Sequence, residues 1–414
     1  MNILRLTTLV LISFLLMPFN ASAHCKGKHT GDHEHCTGGD DGGSGEYFGS
    51  EGVSFAPLSG DPDFDYHVTG TPAQDTITAG GGRDLIEGGD NGDNIQALAG
   101  NDQIHGDNGD DSIDAGEGDD FVYGGAGIDF LNGGPGTDWL EGGDGNDRLY
   151  FSLGASLGGA IYDVDHFDGN QGYDELSFGD WAGPGGYAQV NQITVDLALN
   201  TYEANVTDLS GENVIVQGYV WNIEDIWASR GNDFLYGSDS TDNLIHGWEG
   251  DDVIHGLGGN DDLGGGQGND EIYGGPGNDR VRGNPGSDLV VGGDGDDYVS
   301  GAERGAGESF DDVLWGGNED DPVPGGVDTF HFHGTFGTDT IMDYEQDESI
   351  HLTGYVGGFW RNDMSFSVIN INEVGNDIVV SFWLKRGGGT GGTIILRNAA
   401  ANGIIVDESD FIIE

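Results

Sequence analysis

The sequence has little positive charge. Its 414 residues include 13 Lys and Arg against 74 Asp and Glu, which gives a formal net charge of −61 at pH 7. A protein that binds nucleic acid neutralises phosphates with a basic face, and attraction to an anionic lipid surface needs the same face. The composition therefore excludes nucleic acid as a partner and argues against adsorption to a membrane surface.

Long hydrophobic runs are also scarce, and the longest lies at the N-terminus. Arg5 precedes the apolar residues 6–19, and Ala21-Ser22-Ala23 fits the small-residue cleavage rule of secretory signals. The run is too short for a comfortable membrane span. We expect a signal peptide over residues 1–23 and a secreted or extracellular protein, whose retention at the cell surface or in the periplasm stays open.

Cysteine is nearly absent, since Cys25 and Cys36 are the only two. In an exported chain, two cysteines this close in sequence favour a local disulfide. The alternative is a small zinc or copper site built from His29, His33 and His35. Residues 24–69 hold this segment, an acidic glycine-rich linker and a lead-in to the rest of the chain.

Glycine, in contrast, is abundant, with 80 residues, and many of them recur with a strict period. Residues 70–150 divide into nine units of nine residues, each with an aspartate at the sixth place and an aliphatic residue at the eighth. Residues 228–300 hold eight more units, of which residues 237–246 form one of ten residues. The predicted metal ligands are the sixth-place aspartates Asp75, Asp84, Asp93, Asp102, Asp111, Asp120, Asp129, Asp138, Asp147, Asp233, Asp242, Asp252, Asp261, Asp270, Asp279, Asp288 and Asp297.

The period predicts both the architecture and the chemistry. The glycine-rich half of a unit suits a tight turn, and the other half has the alternation of a very short strand with one side chain turned inward. Two units make a coil of about 18 residues, and coils stack at about 4.8 Å, so aspartates 18 residues apart line up along one edge. Neighbouring carboxylates at about 5 Å repel by roughly 3 kcal/mol. Carboxylate and carbonyl oxygens suit calcium, and binding should be coupled to folding, with disorder in its absence.

The repeated pattern is G-G-x-G-x-D-x-(aliphatic)-x, and through it the chain resembles the RTX, or hemolysin-type calcium-binding nonapeptide repeat, family. The resemblance covers residues 70–150 and 228–300. It implies an all-β fold, a parallel β-roll or β-solenoid of calcium-binding nonapeptide repeats, with several Ca²⁺ ions as cofactors.

The remaining regions keep traces of the period. Residues 151–227 break it and are expected to form an irregular β insertion. The second block, residues 228–330, decays after Ser300, although Asp312 and Asp328 still precede hydrophobic residues by two places. Residues 331–414 are expected to form a C-terminal β capping region, because the last coil of a solenoid would otherwise expose its core. The strand-like stretches of this cap are residues 365–371, 377–384 and 393–396.

No catalytic constellation stands out in the sequence. The zinc protease motif H-E-x-x-H is absent, and His105, His246 and His255 occupy ninth places, where we expect outward-facing sheet residues. Residues 154–158 match the nucleophile-elbow string G-x-S-x-G, but no helix-forming stretch follows Ser156, as that motif requires. The fifth places form no threonine ladder, which disfavours an ice-binding array.

The sequence therefore predicts an exported, non-enzymatic calcium-binding repeat protein that folds on binding multiple Ca²⁺ ions. We expect it to serve as a surface or extracellular structural or adhesive element. Its expected partners are calcium ions and cell-surface or matrix glycans or proteins, with no nucleic acid and no membrane span. The alternative is an RTX-associated hydrolase, esterase-like, with its site in residues 151–227.

Overall fold

The computed structural model describes residues 36–37, 46–49, 53–57, 65–152, 164–178, 189–207, 213–301, 310–317, 326–333, 337–345, 348–353, 366–384, 390–397, 404 and 411–413. These residues contain β-strands and turns and no helix, so none of them belongs to a helix that could cross a membrane. The strands in chain order are β1 (Cys36–Thr37), β2 (Glu46–Gly49), β3 (Ser54–Pro57), β4 (Tyr66–Thr69), β5 (Thr76–Thr78), β6 (Asp84–Asp90), β7 (Asn94–Gln96), β8 (Gln103–Asn108), β9 (Ser112–Asp114), β10 (Phe121–Ala126), β11 (Phe130–Asn132), β12 (Trp139–Asp144), β13 (Arg148–Tyr150), β14 (His166–Gln171), β15 (Glu175–Ser177), β16 (Gln189–Asp196), β17 (Thr201–Thr207), β18 (Asn213–Trp221), β19 (Asp225–Trp227), β20 (Phe234–Tyr236), β21 (Leu244–Glu249), β22 (Val253–His255), β23 (Asp262–Gln267), β24 (Glu271–Pro276), β25 (Arg280–Arg282), β26 (Leu289–Asp294), β27 (Tyr298–Ser300), β28 (Val313–Trp315), β29 (Thr329–His333), β30 (Thr338–Ile341), β31 (Ser349–Thr353), β32 (Phe366–Val374), β33 (Asp377–Leu384), β34 (Thr390–Leu396) and β35 (Phe411–Ile413).

Successive strands of the repeats alternate between two parallel sheets. The first sheet runs from β5 through every second strand to β15, and then from β19 through every second strand to β31 and β35. The second sheet holds the strands between them, from β4 to β14 and from β20 to β30. Strands pair in register one coil apart, as in Ile77 with Ile95 and Ile86 with Ile104. The parallel β-solenoid predicted from the period is confirmed.

The eighth-place aliphatic residues form the core between the two sheets. Ile77, Ile86 and Ile95 are fully buried, and the other eighth-place residues of both blocks are at most 2% exposed. The alternation within each short strand turns one side chain inward and its two neighbours outward. In the ten-residue unit the buried position falls on Ile245, one residue after Leu244, which is only partly buried.

Residues 151–227 are less irregular than the sequence predicts. β14 pairs with β12, and β15 with β13, so this part continues the solenoid after a 27-residue coil. β15 then pairs directly with β19 in the first sheet. In the second sheet, β18, β17 and β16 form an antiparallel meander that connects β14 to β20. The pattern survives because Asp165-His166-Phe167 keeps an aspartate two places before a buried hydrophobic residue.

An aromatic cluster fills the core beside this meander. Phe151 packs against Phe178 and Tyr202, with ring centroids 5.1 and 5.5 Å apart. Tyr202 also contacts Phe167, at 5.7 Å between centroids, and all four rings are buried. The repeats on either side fill the same space with Ile, Leu or Val, so the core is wider at the meander.

The two ends of the described structure are antiparallel. β3 pairs with β4 at the N-terminal end, and β32, β33 and β34 form a meander whose last strand joins β30. These three strands correspond to the strand-like stretches predicted for the C-terminal cap. Phe366, Phe382 and Trp383 lie in β32 and β33. The signal peptide, Cys25 and Ser156 lie outside the described residues.

Candidate metal-binding ladders

The sixth-place aspartates stack into a ladder along each edge of the solenoid. On the edge before the first sheet, which we call the first ladder, the backbone N–H of Asp75 donates to Oδ1 of Asp93 at 2.7 Å. Asp93 repeats this bond to Asp111 at 2.6 Å, and Asp111 repeats it to Asp129 at 2.8 Å. The bond spans 18 residues each time, so the predicted alignment of aspartates 18 residues apart is confirmed.

The second ladder follows the opposite edge, before the second sheet. Asp84 N–H donates to Asp102 Oδ1 at 2.7 Å, and the series continues through Asp120 and Asp138. After the meander it resumes, with Asp233 donating to Asp252 Oδ1 at 2.8 Å. The remaining members of this run are Asp270, Asp288, Asp312 and Asp339.

Five ladder aspartates were not among the predicted ligands. Asp165 and Asp174 accept the ladder bonds of Asp138 and Asp147 across 27 residues, at 3.0 and 2.8 Å. Counting by nine from Asp147 falls on Ser156, Asp165 and Asp174, so these two aspartates keep the period although residues 151–159 have no aspartate at the sixth place. The detectable signal is an aspartate two places before a buried hydrophobic residue, as in Asp165 with Phe167. The same signal marks Asp312, Asp328 and Asp339, which accept later ladder bonds.

Asp242 does not occupy the ladder position predicted for it. Asp242 is exposed, whereas Asn243 is 3% exposed and donates its backbone N–H to Asp261 Oδ1 at 2.7 Å. The ten-residue unit carries its extra residue before the sixth place, so counting from the start of the unit falls one residue short. The ladder at this point therefore contains an asparagine. Glu224 is the preceding member and accepts the N–H of Asp174 at 3.0 Å.

The ladder carboxyl groups are buried, and burial raises the pKa of many of them. Desolvation raises the pKa of Asp111 to about 7 and that of Asp252 to about 9, while the ladder hydrogen bond lowers each. Repulsion from neighbouring members raises them further, as Asp93 does for Asp111. A carboxyl group in this position is stable when it binds a proton or when a cation lies beside its ionised form.

One oxygen of most ladder aspartates is left for such a cation. In Asp93 and Asp111, Oδ1 accepts the ladder bond, and Oδ2 is buried without a hydrogen-bond donor within reach among the described residues. A methyl group built on Gly88 would lie 2.8 Å from Asp93 Oδ2 and 2.6 Å from the carbonyl oxygen of Gly106. A carboxylate and a carbonyl of the next coil therefore face the same small space, which only a glycine leaves open.

This donor set fits calcium. Ca²⁺ takes six to eight oxygen ligands from carboxylates, backbone carbonyls and water. No group of three or more His, Cys, Asp or Glu side chains suited to a metal ion occurs in the described part of the chain, so the backbone must supply part of any shell. Turn residues in the left-handed region, such as Gly100 at φ 151° and Gly109 at φ 130°, set the path of that backbone.

The other predicted features lie away from the ladders. His255 is stacked on the outside of the second sheet between Tyr236 and Tyr273, at 5.1 and 4.7 Å between ring centroids. His105 lies on the same face beside Tyr123, at 6.0 Å. His29, His33 and His35 lie outside the described residues, so a transition-metal site there stays a prediction.

Comparison with known proteins agrees with this geometry. The chain matches the family model of the RTX calcium-binding nonapeptide repeat (4 copies) at residues 69–91, 87–122, 123–156, 221–248, 231–263, 239–272, 264–299 and 299–321. No curated protein matches the chain. The crystal structure of the extracellular lipase LipA from Serratia marcescens is similar at 16% identity and a TM-score of 0.20, over 78% of this chain and 44% of the lipase. The chain thus spans less than half the length of that lipase. The stretches that match the family model contain most members of both ladders.

Proposed function

Because this chain carries the RTX calcium-binding nonapeptide repeat in two blocks, we propose that it is an exported, non-enzymatic protein that folds into its solenoid on binding several Ca²⁺ ions. The observation that carries the proposal is the pair of buried aspartate ladders, in which Oδ2 of members such as Asp93 and Asp111 has no hydrogen-bond donor within reach among the described residues. Desolvated, unpaired carboxylates are costly, and bound cations remove that cost. Calcium is thus proposed as part of the fold.

Within each coil, different atoms of the repeat join neighbouring coils, face the ion and fill the core. Oδ1 of a ladder aspartate accepts the N–H of the aspartate one coil earlier and so joins neighbouring coils. Oδ2 and the turn carbonyls would hold the ion, which supplies the positive charge that 13 Lys and Arg cannot provide along the ladders. The eighth-place side chains fill the core between the sheets. The result would be a rigid calcium-dependent rod.

Export is the second part of the proposal. It rests on the signal-like residues 1–23, and on affinities in the extracellular range of about 10⁻⁴–10⁻³ M for calcium sites of secreted modules. We further propose that Cys25 and Cys36 form a disulfide, which an oxidising compartment permits.

The direct test is elemental analysis of the secreted protein. After equilibrium dialysis against calcium well above the expected dissociation constants, the mature chain should carry several calcium ions in excess of the dialysate and no stoichiometric zinc or copper. The same preparation should show no hydrolysis of ester substrates above that of a Ser156→Ala variant. Calcium-free protein with unchanged β-structure would contradict the proposal, and ester hydrolysis lost in Ser156→Ala would favour the hydrolase instead.

An adhesive role has a specific observation in its favour. Trp139, His166, Tyr219 and Trp221 form a contiguous aromatic cluster on the outer face of the second sheet, with Trp139 and Trp221 stacked at 5.9 Å and Tyr219 and Trp221 at 5.6 Å. Tyr219 is 48% exposed. Carboxylates border the cluster, since Trp139 Nε1 donates to Glu141 at 2.9 Å. Aromatic faces beside hydrogen-bond acceptors suit sugar rings, and the net charge of −61 favours an uncharged polysaccharide over an anionic one.

Binding to an array of neutral and anionic glycans tests this role. The calcium-loaded protein should bind neutral glycans, and Tyr219→Ala should weaken that binding by about tenfold through loss of one aromatic face. Tyr273→Ala, an aromatic change on the same sheet beyond the meander, is the matched control and should bind as wild type does. Equal loss in both variants, or a preference for anionic glycans, would contradict the assignment of the cluster.

A further inference from the structure

The backbone at the second place of a repeat unit determines where the turn N–H points. In most turns this residue lies in the left-handed region, as Gly89 does at φ 115°, Leu98 at 79° and Asp107 at 75°. In these turns, Oδ2 of the sixth-place aspartate is buried with no hydrogen-bond donor within reach among the described residues. The aspartates with both properties are Asp93, Asp102, Asp111, Asp120, Asp129, Asp147, Asp174, Asp252, Asp261, Asp270, Asp279 and Asp297.

Three turns with an aspartate at the sixth place depart from this arrangement, because Thr71, Gly80 and Ser229 at their second places do not lie in the left-handed region. Gly80 has no hydroxyl, and both carboxylate oxygens of Asp84 are buried with no hydrogen-bond donor within reach among the described residues. The turns of Thr71 and Ser229 differ from it. Thr71 N–H donates to Oδ2 of Asp75 at 2.5 Å, and its hydroxyl donates to the same oxygen at 2.9 Å. Ser229 N–H donates to Oδ2 of Asp233 at 2.9 Å, and its hydroxyl lies 2.9 Å from both carboxylate oxygens. Each carboxylate is thus bonded by its own turn.

A third turn has the same bond with an uncharged partner. Ser238 N–H donates to Oδ1 of Asn243 at 2.8 Å, and Asn243 Nδ2 donates to the carbonyl oxygen of Glu224 at 3.0 Å. The amide group of Asn243 donates a hydrogen bond at the place where a buried carboxylate oxygen would need a cation beside it. The natural asparagine therefore shows that such a turn is satisfied without a charge on its sixth-place residue.

The residue type and the hydroxyl act together at these positions. A β-branched residue such as Thr71 is disfavoured at positive φ. Leu98 and Leu257 nevertheless adopt positive φ with bulky side chains, so residue type alone does not decide the conformation. The hydroxyls of Thr71 and Ser229 add a second bond to the carboxylate that receives the turn N–H. Threonine or serine at the second place thus stabilises the conformation in which the turn bonds its own sixth residue.

We propose that the Thr71/Asp75, Ser229/Asp233 and Ser238/Asn243 turns are closed to calcium, each held by the N–H of its own second residue instead of an ion. The inference rests on the proposed function and specifies which turns bind calcium. The three closed turns are the first turn of the first block and both turns of the first coil of the second block. Each block therefore begins with a turn that needs no metal, and calcium sites follow it.

Matched Asp→Asn substitutions in neighbouring coils test the proposal. Asp233 and Asp252 are adjacent members of the second ladder, joined by a 2.8 Å bond, and differ in that only Asp233 is bonded by its own turn. Calcium per chain would be counted by elemental analysis at saturating calcium. Asp252→Asn should reduce the ion count, because an amide nitrogen replaces the oxygen available to the ion. Asp233→Asn should retain the wild-type count, because the N–H and hydroxyl of Ser229, and not an ion, contact this side chain.

The possible outcomes separate this inference from the proposed function. Equal loss of ions in Asp233→Asn and Asp252→Asn, or no loss in either, overturns the closed-turn assignment while calcium binding itself stands. A wild-type chain that retains no calcium overturns both. As a second measurement, Asn243→Asp should fold and gain no ion, because Ser238 N–H still occupies the turn. A gained ion in that variant would also overturn the assignment.

Discussion

Removing calcium from the mature protein should unfold most of its β-structure. Each coil buries two carboxyl groups and only a few aliphatic side chains, so the core is thin relative to the charge that it must accommodate. Desolvation raises the pKa of Asp102, Asp120 and Asp129 to about 7, and of Asp297 to about 8, which reflects the cost of burying these groups ionised. Without a cation, the extended unfolded chain relieves that cost.

The measurement is far-UV circular dichroism during a calcium titration that begins in excess chelator. The β-signal should appear cooperatively, with a midpoint near 10⁻⁴–10⁻³ M calcium, on the order expected for extracellular sites. Magnesium at the same concentrations and sodium chloride at the same ionic strength are the controls, because magnesium dehydrates reluctantly and salt only screens charge. A full β-signal in excess chelator would show that the metal is not coupled to folding.

Removing a carboxylate from the middle of a ladder should raise the calcium requirement more than removing one from its end. Asp111 Oδ1 accepts the N–H of Asp93 at 2.6 Å, and its buried Oδ2 is one of the oxygens proposed for the ion, so Asp111→Ala removes a contact between coils and an ion ligand. The lost hydrogen bond to a charged group alone corresponds to about 1.5–3 kcal/mol. Asp75 begins the ladder, and its Oδ2 is bonded to Thr71 instead of being left for an ion. Asp75→Ala removes no proposed ion ligand and should therefore shift the calcium midpoint less than half as much.

The calcium midpoint of folding, measured for each variant, tests this difference. Glu117→Ala is the matched control, because it removes the same charge from an exposed position in the neighbouring turn of Asp120 and should shift the midpoint only slightly. Equal shifts for Asp111→Ala and Asp75→Ala would contradict the importance of neighbours 18 residues away. A shift in Glu117→Ala as large as that in Asp111→Ala would indicate that net charge, and not the ladder, determines the requirement.

The regular part of this fold could be predicted because one local rule repeats. A glycine turn, an aspartate and an aliphatic residue at fixed spacing determine the coil, the sheet register and the buried face, and Ile77 to Ile104 lie where the period places them. Counting by nine fails where the number of residues between ladder members changes. The extra residue before Asn243 shifts the ladder by one place, and Asp312, Asp328 and Asp339 are identified only by the local aspartate–hydrophobic pair. Asp165 and Asp174 keep the count from Asp147, but residues 151–159 lack a sixth-place aspartate and so conceal it.

The remaining differences arise from contacts that no short spacing specifies. The pairing of β14 with β18 and of β16 with β20 joins residues 40 to 53 positions apart in sequence, through partners such as Phe167 and Val220. The closed turns depend on the φ angle of the second residue of the unit. Leu98 has a positive φ and Ser229 does not, although both have a Cβ atom. In both cases the residues are compatible with more than one conformation, and contacts with residues distant in sequence determine which one forms.

The meander gives the two faces of the solenoid unequal lengths. Between β14 and β20 the second sheet contains three strands, whereas the first sheet has β19 alone between β15 and β21. Two additional strands at about 4.8 Å each lengthen one face by about 10 Å. The rings of Phe151, Phe178 and Tyr202 occupy the space that this difference opens. A solenoid with one longer side is curved, so we expect its long axis to change direction at the meander. The angle would depend on the two additional strands and on the volume of these aromatic rings.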